Sequence, residues 1–332
     1  SSPLPRTEWE CLRQTRLLVD RRTIMSARKV SHILKLSAEE QREFVNSFDV
    51  VMCDCDGVMW MASSPLPRTG EAVNALKDDG KRVFFVSNNS ERPEEEYVNK
   101  FTSIGVKDFQ ANHIMHPAKS MLYYIKKHNI KQPVFSTCSA DGNDVLRRGG
   151  VDVRTLDVKE GVRLSNLEEI TEPEQKMGAV LFDINSNLNY VQMTAATRYL
   201  ADKDCDFLLG APDPRFRLGT GVMLPICNDF YLILKRLTGR EATIVGKPSV
   251  LLGEILKDIY KLDNPKRCLF VGDSLAVDIP FGLNCGFQTL LVLSGCTPIE
   301  EMWQANAEDQ PHFYADSIAD FIELYANISK NT

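Results

Sequence analysis

Long apolar runs are missing from this sequence, and that absence excludes one class of protein. About 18 consecutive apolar residues are needed to span a bilayer as a helix, and no stretch here reaches that length. A secretory signal with its charged, apolar and small-residue parts is not recognisable either. Since 43% of the 332 residues are hydrophobic, a packed core is nevertheless expected. We therefore expect a folded protein without a membrane partner.

An excess of basic charge is also missing. The chain has 39 Lys and Arg residues against 45 Asp and Glu residues, which gives a formal net charge of -6. Proteins that bind nucleic acid through a broad basic surface usually carry the opposite balance. We therefore expect no nucleic-acid partner.

The five histidines and nine cysteines lack the spacings of a metal site. Cys53 and Cys55 form a C-x-C pair, but a thiolate site would need partner pairs, and none follows. Scattered cysteines of odd number favour free thiols and a reducing compartment, so we expect a cytoplasmic protein. The segment from Arg6 to Lys35 is rich in arginine, which leaves mitochondrial import as the alternative.

Short apolar runs that end in polar or glycine residues recur along the chain, at 49–54, 82–89, 242–247, 267–273 and 289–295. They are apolar on both faces, which is typical of central strands in a parallel sheet. Helical patterns accompany them at 69–80, which has a threonine as predicted cap, at 248–262 and at 316–328. Alternating strands and helices predict a doubly wound α/β fold.

Roughly 150 residues separate the second run from the third, too many for one crossover. This stretch has its own predicted strands at 133–137, 151–156, 177–184 and 206–211, and its own helices near 141–148, 189–203 and 226–238. We therefore expect an α/β domain over 131–241, inserted into a core domain formed by 36–130 and 242–332. Residues 1–35 would be an N-terminal extension that could be disordered.

Polar residues follow four of the predicted core strands, and parallel strands deliver such residues to one edge of the sheet. The residues are Asp54 and Asp56 after the first run, Ser87, Asn88 and Asn89 after the second, Lys247 after the third, and Asp273 and Asp278 after the fourth. Each motif alone has an ordinary structural explanation as a turn or loop. Four of them together, each at a strand end, favour a functional site.

Converging carboxylates repel one another unless a cation binds between them. Oxygen ligands without histidine or cysteine suit Mg²⁺, and we expect Asp54, Asp273 and the backbone carbonyl of Asp56 to hold it. Asp54 could then attack phosphorus as a nucleophile and form an aspartyl-phosphate. The Asp56 side chain could protonate the leaving oxygen and afterwards activate water.

The remaining residues suit phosphate binding. Ser87 and Asn88, with Asn89 beside them, could hydrogen-bond phosphoryl oxygens, and Lys247 could neutralise their charge. Gly57 would let the backbone approach the phosphate closely.

The stretches DCDGVMW, FVSNNS, VGKPS and VGDSLAVDI resemble the four motifs of the haloacid dehalogenase superfamily of phosphatases. Over about residues 36–325, the chain is similar to the 4-nitrophenylphosphatase-like branch, which includes phosphoglycolate phosphatase and pyridoxal phosphate phosphatase. The resemblance implies a Rossmann-like core with a large α/β cap, Mg²⁺ dependence and a homodimer formed through the cap. It implies the roles given above for the motif residues, and it makes Asp278 a support for a metal-bound water.

Within the predicted cap, the chain departs from this branch. The loop at 210–221 is short, and Leu218 replaces an expected proline. Arg215 and Arg217 could contact an anionic substrate or simply be solvated, while Asp183 matches an aspartate near the mouth of the site.

The expected substrate is a small phosphorylated metabolite of the 2-phosphoglycolate or glycerol 3-phosphate type, with p-nitrophenyl phosphate as a test compound. Several alternatives stay open. They are a pyridoxal phosphate or phosphotyrosine-protein phosphatase, a phosphotransferase or mutase, and a regulatory protein without turnover.

Overall fold

The computed structural model of the chain describes residues 30–157, 160–213, 216–217 and 223–330. Its strands are β1 Ser31–His32, β2 Val50–Cys53, β3 Trp60–Met61, β4 Ser64–Pro65, β5 Arg82–Val86, β6 Ile114–Met115, β7 Val134–Ser136, β8 Val153–Arg154, β9 Ala179–Phe182, β10 Asp206–Leu209, β11 Phe216–Arg217, β12 Met223–Leu224, β13 Thr243–Ile244, β14 Cys268–Gly272, β15 Gln288–Val292 and β16 Phe313–Ala315.

Its helices are α1 Ala38–Asn46, α2 Thr69–Asp78, α3 Glu94–Ser103, α4 Pro117–Lys127, α5 Ala140–Arg148, α6 Leu167–Ile170, α7 Tyr190–Tyr199, α8 Cys227–Thr238, α9 Val250–Tyr260, α10 Asp278–Cys285, α11 Ile299–Gln304 and α12 Asp320–Lys330. None of the helices in these ranges is long and apolar enough to cross a membrane.

The larger sheet of the described chain has seven parallel strands in the order β1-β16-β15-β14-β2-β5-β6. All four residues of β2 are buried, because helices and their apolar side chains cover both faces of the sheet. The predicted α/β fold class is thus confirmed.

A second parallel sheet has the order β13-β10-β9-β7-β8 within the described residues. Strand β13 belongs to this sheet, where Thr243 is in register with Leu208. The prediction that 242–247 forms a strand of the core sheet was wrong. Buried parallel strands have the same apolar pattern in either sheet, so the pattern could not assign β13 to one of them.

The large sheet also begins before residue 36. Ser31 is in register with Phe313 at the edge of the sheet, and Ile33 is fully buried beneath it. The prediction that Ser31 and Ile33 belong to the N-terminal extension was wrong, because a two-residue strand is too short to produce a periodic signal. The rest of the predicted extension, 1–29, lies outside the described residues.

The predicted threonine cap of the helix that follows β4 was wrong as well. Thr69 is the first residue of α2, and its hydroxyl donates to the carbonyls of Met59 and Leu66, each at 3.2 Å. The residue before the helix is Arg68, in a left-handed conformation with φ +57°. The buried hydroxyl of Thr69 therefore stabilises the preceding turn instead of capping the helix.

An aromatic cluster joins α3 to the large sheet and allows a test of core packing. The fully buried ring of Phe101 has its centroid 4.1 Å from those of Phe85 and Phe109, and 5.0 Å from that of Trp60. Phe101→Ala should lower the free energy of unfolding by about 3–5 kcal/mol through lost contacts and the cavity that remains.

Urea unfolding followed by tryptophan fluorescence measures this change. Leu164→Ala is the control, since Leu164 is 82% exposed and its loss should change stability by less than about 0.5 kcal/mol. Equal effects of the two substitutions would contradict the assigned packing of α3.

Candidate functional site

Three carboxylates meet at the carboxyl edge of the large sheet. Asp54 follows β2, Asp273 follows the adjacent β14, and Asp278 is the first residue of α10. Their carboxylate oxygens lie within 4.8 Å of one another, and all three residues are buried. The parallel pairing of β2 with β14 brings them together, since the Asp54 N–H donates to the carbonyl of Val271 at 2.8 Å.

Lys247 enters this cluster from the second sheet, beyond the end of β13. Its Nζ donates to Oδ1 of Asp54 at 2.7 Å and to Oδ1 of Asp278 at 2.8 Å, and the residue is 2% exposed. Burial by itself lowers the pKa of an amine, but the two carboxylates outweigh it and raise the pKa of Lys247 above its ordinary value. The lysine is therefore held as a cation.

The charges of the cluster fit an additional cation. Burial raises the pKa of Asp54, against the opposing effect of Lys247, and burial together with the charge of Asp278 raises the pKa of Asp273 to about 6. One lysine faces three carboxylates, so a divalent cation with a preference for oxygen ligands, such as Mg²⁺, matches this donor set.

The hydrogen bonds of Asp278 limit which carboxylates can serve as ligands. Its Oδ2 accepts from the backbone N–H groups of Asp273 at 3.1 Å and Ser274 at 3.0 Å, while Lys247 occupies Oδ1. Asp278 thus holds the strand end and the lysine in place. Asp54 and Asp273, the pair expected from the sequence, are the better placed metal ligands.

The Asp56 side chain lies outside the carboxylate cluster. Its Oδ1 accepts from Nε1 of Trp60 at 3.0 Å, and its Oδ2 lies 3.7 Å from Nη1 of Arg92. The carboxylate of Asp56 thus contacts Trp60 and Arg92 and does not belong to the group formed by Asp54, Asp273 and Asp278.

Gly57 faces the carboxylate of Asp273. Its φ is +85°, and a Cβ built on it would lie 3.0 Å from Oδ1 of Asp273 and still closer to the rest of that carboxylate. The sequence analysis expected this glycine to make room for phosphate. The structure gives a more immediate reason for it, which is the room needed by Asp273.

Ser87 and Asn89 form a compact turn after β5. Oγ of Ser87 accepts from the N–H of Asn89 at 3.1 Å and lies 3.2 Å from the hydroxyl of Tyr97. That hydroxyl also donates to the carbonyl of Asn89 at 2.8 Å. Tyr97 is fully buried and was not identified from the sequence, because a tyrosine on an amphipathic helix resembles any core residue.

The Asn88 side chain binds protein groups on both sides. Its Oδ1 accepts from the N–H of Lys247 at 2.9 Å, and its Nδ2 donates to the carbonyl of Lys247 at 3.1 Å. Nδ2 also lies 3.1 and 3.2 Å from the two carboxylate oxygens of Asp213. The side chain expected to bind phosphate thus holds the lysine's backbone.

Asp213 is a site residue that sequence reasoning missed, since an aspartate between two prolines is typical of a loop. Burial raises its pKa to about 6, although the hydrogen bond from Asn88 opposes this. It lines a cavity of about 110 Å³ between the two sheets, whose other described lining residues are Asn88, Asp183, Ile184, Ala211, Ile226 and Cys227.

Asp183, which the sequence predicts near the mouth of the site, lines the same cavity. It is 1% exposed, and its Oδ2 accepts from the hydroxyl of Ser90. Burial raises its pKa to about 7, against the effect of Ser90. Of the loop predicted to shape the pocket, Arg215 and Leu218 lie outside the described residues, and only the backbone of Arg217 is described.

Two family models match the chain. The model of the haloacid dehalogenase-like hydrolases matches residues 51–152, and a HAD-hydrolase-like model matches residues 244–321. These ranges contain both parts of the large sheet's carboxyl edge, and they include every residue of the carboxylate–lysine cluster.

Relatives and solved structures agree with these models. The chain is 35% identical to a 4-nitrophenylphosphatase of Schizosaccharomyces pombe over 86% of this chain and 97% of that protein. It is 30% identical to chronophin of Rattus norvegicus over 89% and 94% of the two chains. A p-nitrophenyl phosphatase structure from Archaeoglobus fulgidus superposes with a TM-score of 0.71 at 27% identity, over 83% of this chain and 99% of that one.

Haloacid dehalogenase-like phosphatases generally use Mg²⁺, which suits the carboxylate cluster described above. The motifs, the fold and the similarity over nearly the whole length of these relatives lead to one conclusion: this chain belongs to the haloacid dehalogenase-like hydrolases and is an enzyme of their phosphatase branch.

Proposed function

We propose that this enzyme is a Mg²⁺-dependent phosphomonoesterase that hydrolyses small phosphorylated metabolites through an aspartyl-phosphate on Asp54. The observation that carries the proposal is the buried cluster in which Lys247 binds Asp54 and Asp278 beside Asp273. A carboxylate fixed by a lysine at a strand end is a suitable nucleophile for a bound phosphate.

Asp54 performs the first step. A carboxylate oxygen of Asp54 attacks phosphorus, the bond from phosphorus to the ester oxygen breaks, and the phosphoryl group is transferred to Asp54. Mg²⁺ bound by Asp54 and Asp273 would shield the negative charge of the phosphate.

Asp56 supplies and removes the protons. It gives its proton to the leaving oxygen in the first step and takes one from the water that attacks the aspartyl-phosphate in the second. Its position two residues beyond Asp54, with Trp60 and Arg92 orienting its carboxylate, supports this role.

Phosphate oxygens are stabilised by Lys247 and by the turn that follows β5. The ammonium group of Lys247 balances negative charge on the phosphoryl oxygens and on Asp54. Ser87 and the backbone N–H of Asn88 complete the phosphate site, and Asn89 and Tyr97 hold Oγ of Ser87 in place.

The leaving group is small. A cavity of about 110 Å³ lies beside Asn88, and a small leaving group suits it better than a protein surface does. This supports a metabolite over a phosphotyrosine on a folded protein. Relatives named phosphoglycolate phosphatase and glycerol-3-phosphate phosphatase make these two phosphate esters the first candidates, and p-nitrophenyl phosphate the general test compound.

The partner we propose is a second copy of this chain, bound through α7 and α8 on the second sheet. Large apolar side chains are exposed there: Tyr190 is 70% exposed, Ile233 41% and Leu237 61%. Ile233 and Leu237 lie four residues apart and so share one face of α8.

Removal of the nucleophile or the metal should abolish activity. We expect phosphate release from p-nitrophenyl phosphate, 2-phosphoglycolate or glycerol 3-phosphate with Mg²⁺, and its loss with EDTA. Asp54→Asn should lower kcat by about a thousandfold or more, because an amide cannot form the phosphoenzyme.

The matched control is Asp263→Asn, which removes an exposed carboxylate and should leave kcat unchanged. Release of phosphate by a folded Asp54→Asn protein at the wild-type rate would reject the mechanism. A folded wild type that hydrolyses no compound in the presence of Mg²⁺ would reject the function.

A side chain at position 57 should displace Asp273. Gly57→Ala should lower kcat by about a hundredfold, since the added methyl group collides with that carboxylate. Gly80→Ala is the control, because Gly80 has nearly the same φ, +79°, but no atom within 4 Å of a Cβ built on it. Both variants should lose about 1–2 kcal/mol of stability through backbone strain. Equal kinetic effects would mean that strain, and not the collision, is responsible.

The proposed dimer predicts a change in mass. Wild-type protein should elute as a dimer in size-exclusion chromatography with light scattering, and Leu237→Glu should shift it towards monomer because a buried charge opposes association. Leu164→Glu, a substitution at another exposed leucine, should leave the dimer intact. A monomeric wild type, or a dimer that survives Leu237→Glu, would count against this surface.

A further inference from the structure

Both backbone polar groups of Lys247, its N–H and its carbonyl, form hydrogen bonds with the side chain of Asn88. Asn88 accepts from its N–H at 2.9 Å and donates to its carbonyl at 3.1 Å. Lys247 follows a strand of the second sheet, whereas Asn88 follows a strand of the large sheet. The side-chain amide of Asn88 therefore fixes the lysine relative to the sheet that carries Asp54.

These two hydrogen bonds can form in only one orientation of the side-chain amide of Asn88. The oxygen of Asn88 must face the N–H of Lys247 and its nitrogen must face the carbonyl. Asp213 selects that orientation, because a carboxylate accepts hydrogen bonds and its two oxygens lie 3.1 and 3.2 Å from Nδ2 of Asn88. Rotating the amide by half a turn would place its oxygen against the carboxylate and against the carbonyl of Lys247.

The packing around Asn88 and the backbone of Lys247 leaves these two residues little room to move. A Cβ built on Gly246 would lie 3.0 Å from Oδ1 of Asn88 and 3.2 Å from the carbonyl carbon of Gly210. Gly246, the residue before the lysine, is thus closely packed between Asn88 and the end of β10. A small rotation of Asn88 would move Lys247, whose Nζ must stay within 2.7 Å of Asp54.

We propose that Asp213 is a positioning residue, which orients Asn88 and through it holds Lys247 against Asp54. This rests on the proposed function, since it assigns Asp213 to the same reaction. Asp213 does not contact the reacting atoms. It acts through its hydrogen bonds with Asn88 and through those of Asn88 with Lys247.

A different role is also conceivable for a carboxylate that lines the cavity, namely direct binding of the leaving group. The two roles differ in their kinetics. Loss of positioning weakens the transition state and lowers kcat, whereas loss of a leaving-group contact weakens substrate binding and raises KM.

The experiment measures kcat and KM with p-nitrophenyl phosphate and Mg²⁺ for Asp213→Ala, Asn88→Ala and the double variant. Each single substitution should lower kcat by about tenfold, with KM changed by less than about threefold. The double variant should also lose about tenfold instead of a hundredfold, because both substitutions break the same chain of contacts. Asp213→Asn keeps one acceptor oxygen for Asn88 and should retain kcat within about threefold of wild type.

Glu91→Ala provides the matched control. Glu91 lies in the same segment and also reaches the second sheet's domain, where it accepts from the N–H and hydroxyl of Ser186 at 2.7 and 2.8 Å, without contact to Lys247. Its effect on kcat should be under about threefold and should multiply with that of Asn88→Ala. Circular dichroism and thermal unfolding of each variant identify any that fail to fold, and Asp213→Asn then carries the comparison.

Multiplicative effects of Asp213→Ala and Asn88→Ala would overturn the proposal, as would a rise in KM at unchanged kcat. An inactive wild type would instead reject the proposed function, and the positioning role with it. An active wild type with independent effects rejects only the positioning role.

Discussion

The site depends on one buried amine. Lys247 is 2% exposed, and an isolated ammonium group at that depth would cost several kcal/mol. The carboxylates of Asp54 and Asp278 offset this cost at 2.7 and 2.8 Å. These carboxylates in turn could not be buried together with Asp273 unless positive charge were present. Each charge thus makes the burial of the others tolerable, and three carboxylates around one amine suit a divalent cation.

The strands and their order bring these charges together. Asp54 and Asp273 end neighbouring parallel strands of the large sheet, whereas Lys247 comes from the second sheet. The site therefore exists only where the two sheets meet. The segment after β5 contributes to that junction, since Ser90 binds Asp183 and Asn88 binds Lys247.

The carboxylate cluster and the neighbouring cavity draw on different parts of the molecule. Membership of the haloacid dehalogenase-like hydrolases accounts for the carboxylates of the large sheet, which are suited to phosphoryl transfer. The second sheet and its loops contribute Asp183 and Asp213, which line the small cavity beside the site. Burial raises the pKa values of both carboxylates, which lie among the apolar side chains of Ile184, Ala211 and Ile226.

The sequence by itself determined the fold class, and it predicted a second α/β region and a set of polar residues at one sheet edge. Apolar runs with both faces buried require a parallel sheet, and polar residues at their ends must share its edge. It did not determine that β13 joins the second sheet, that Ser31 pairs with Phe313, or that Asn88 hydrogen-bonds to both Lys247 and Asp213. Only the tertiary structure decided these, because short strands and loop side chains carry no periodic signal, and their partners lie far away in the chain.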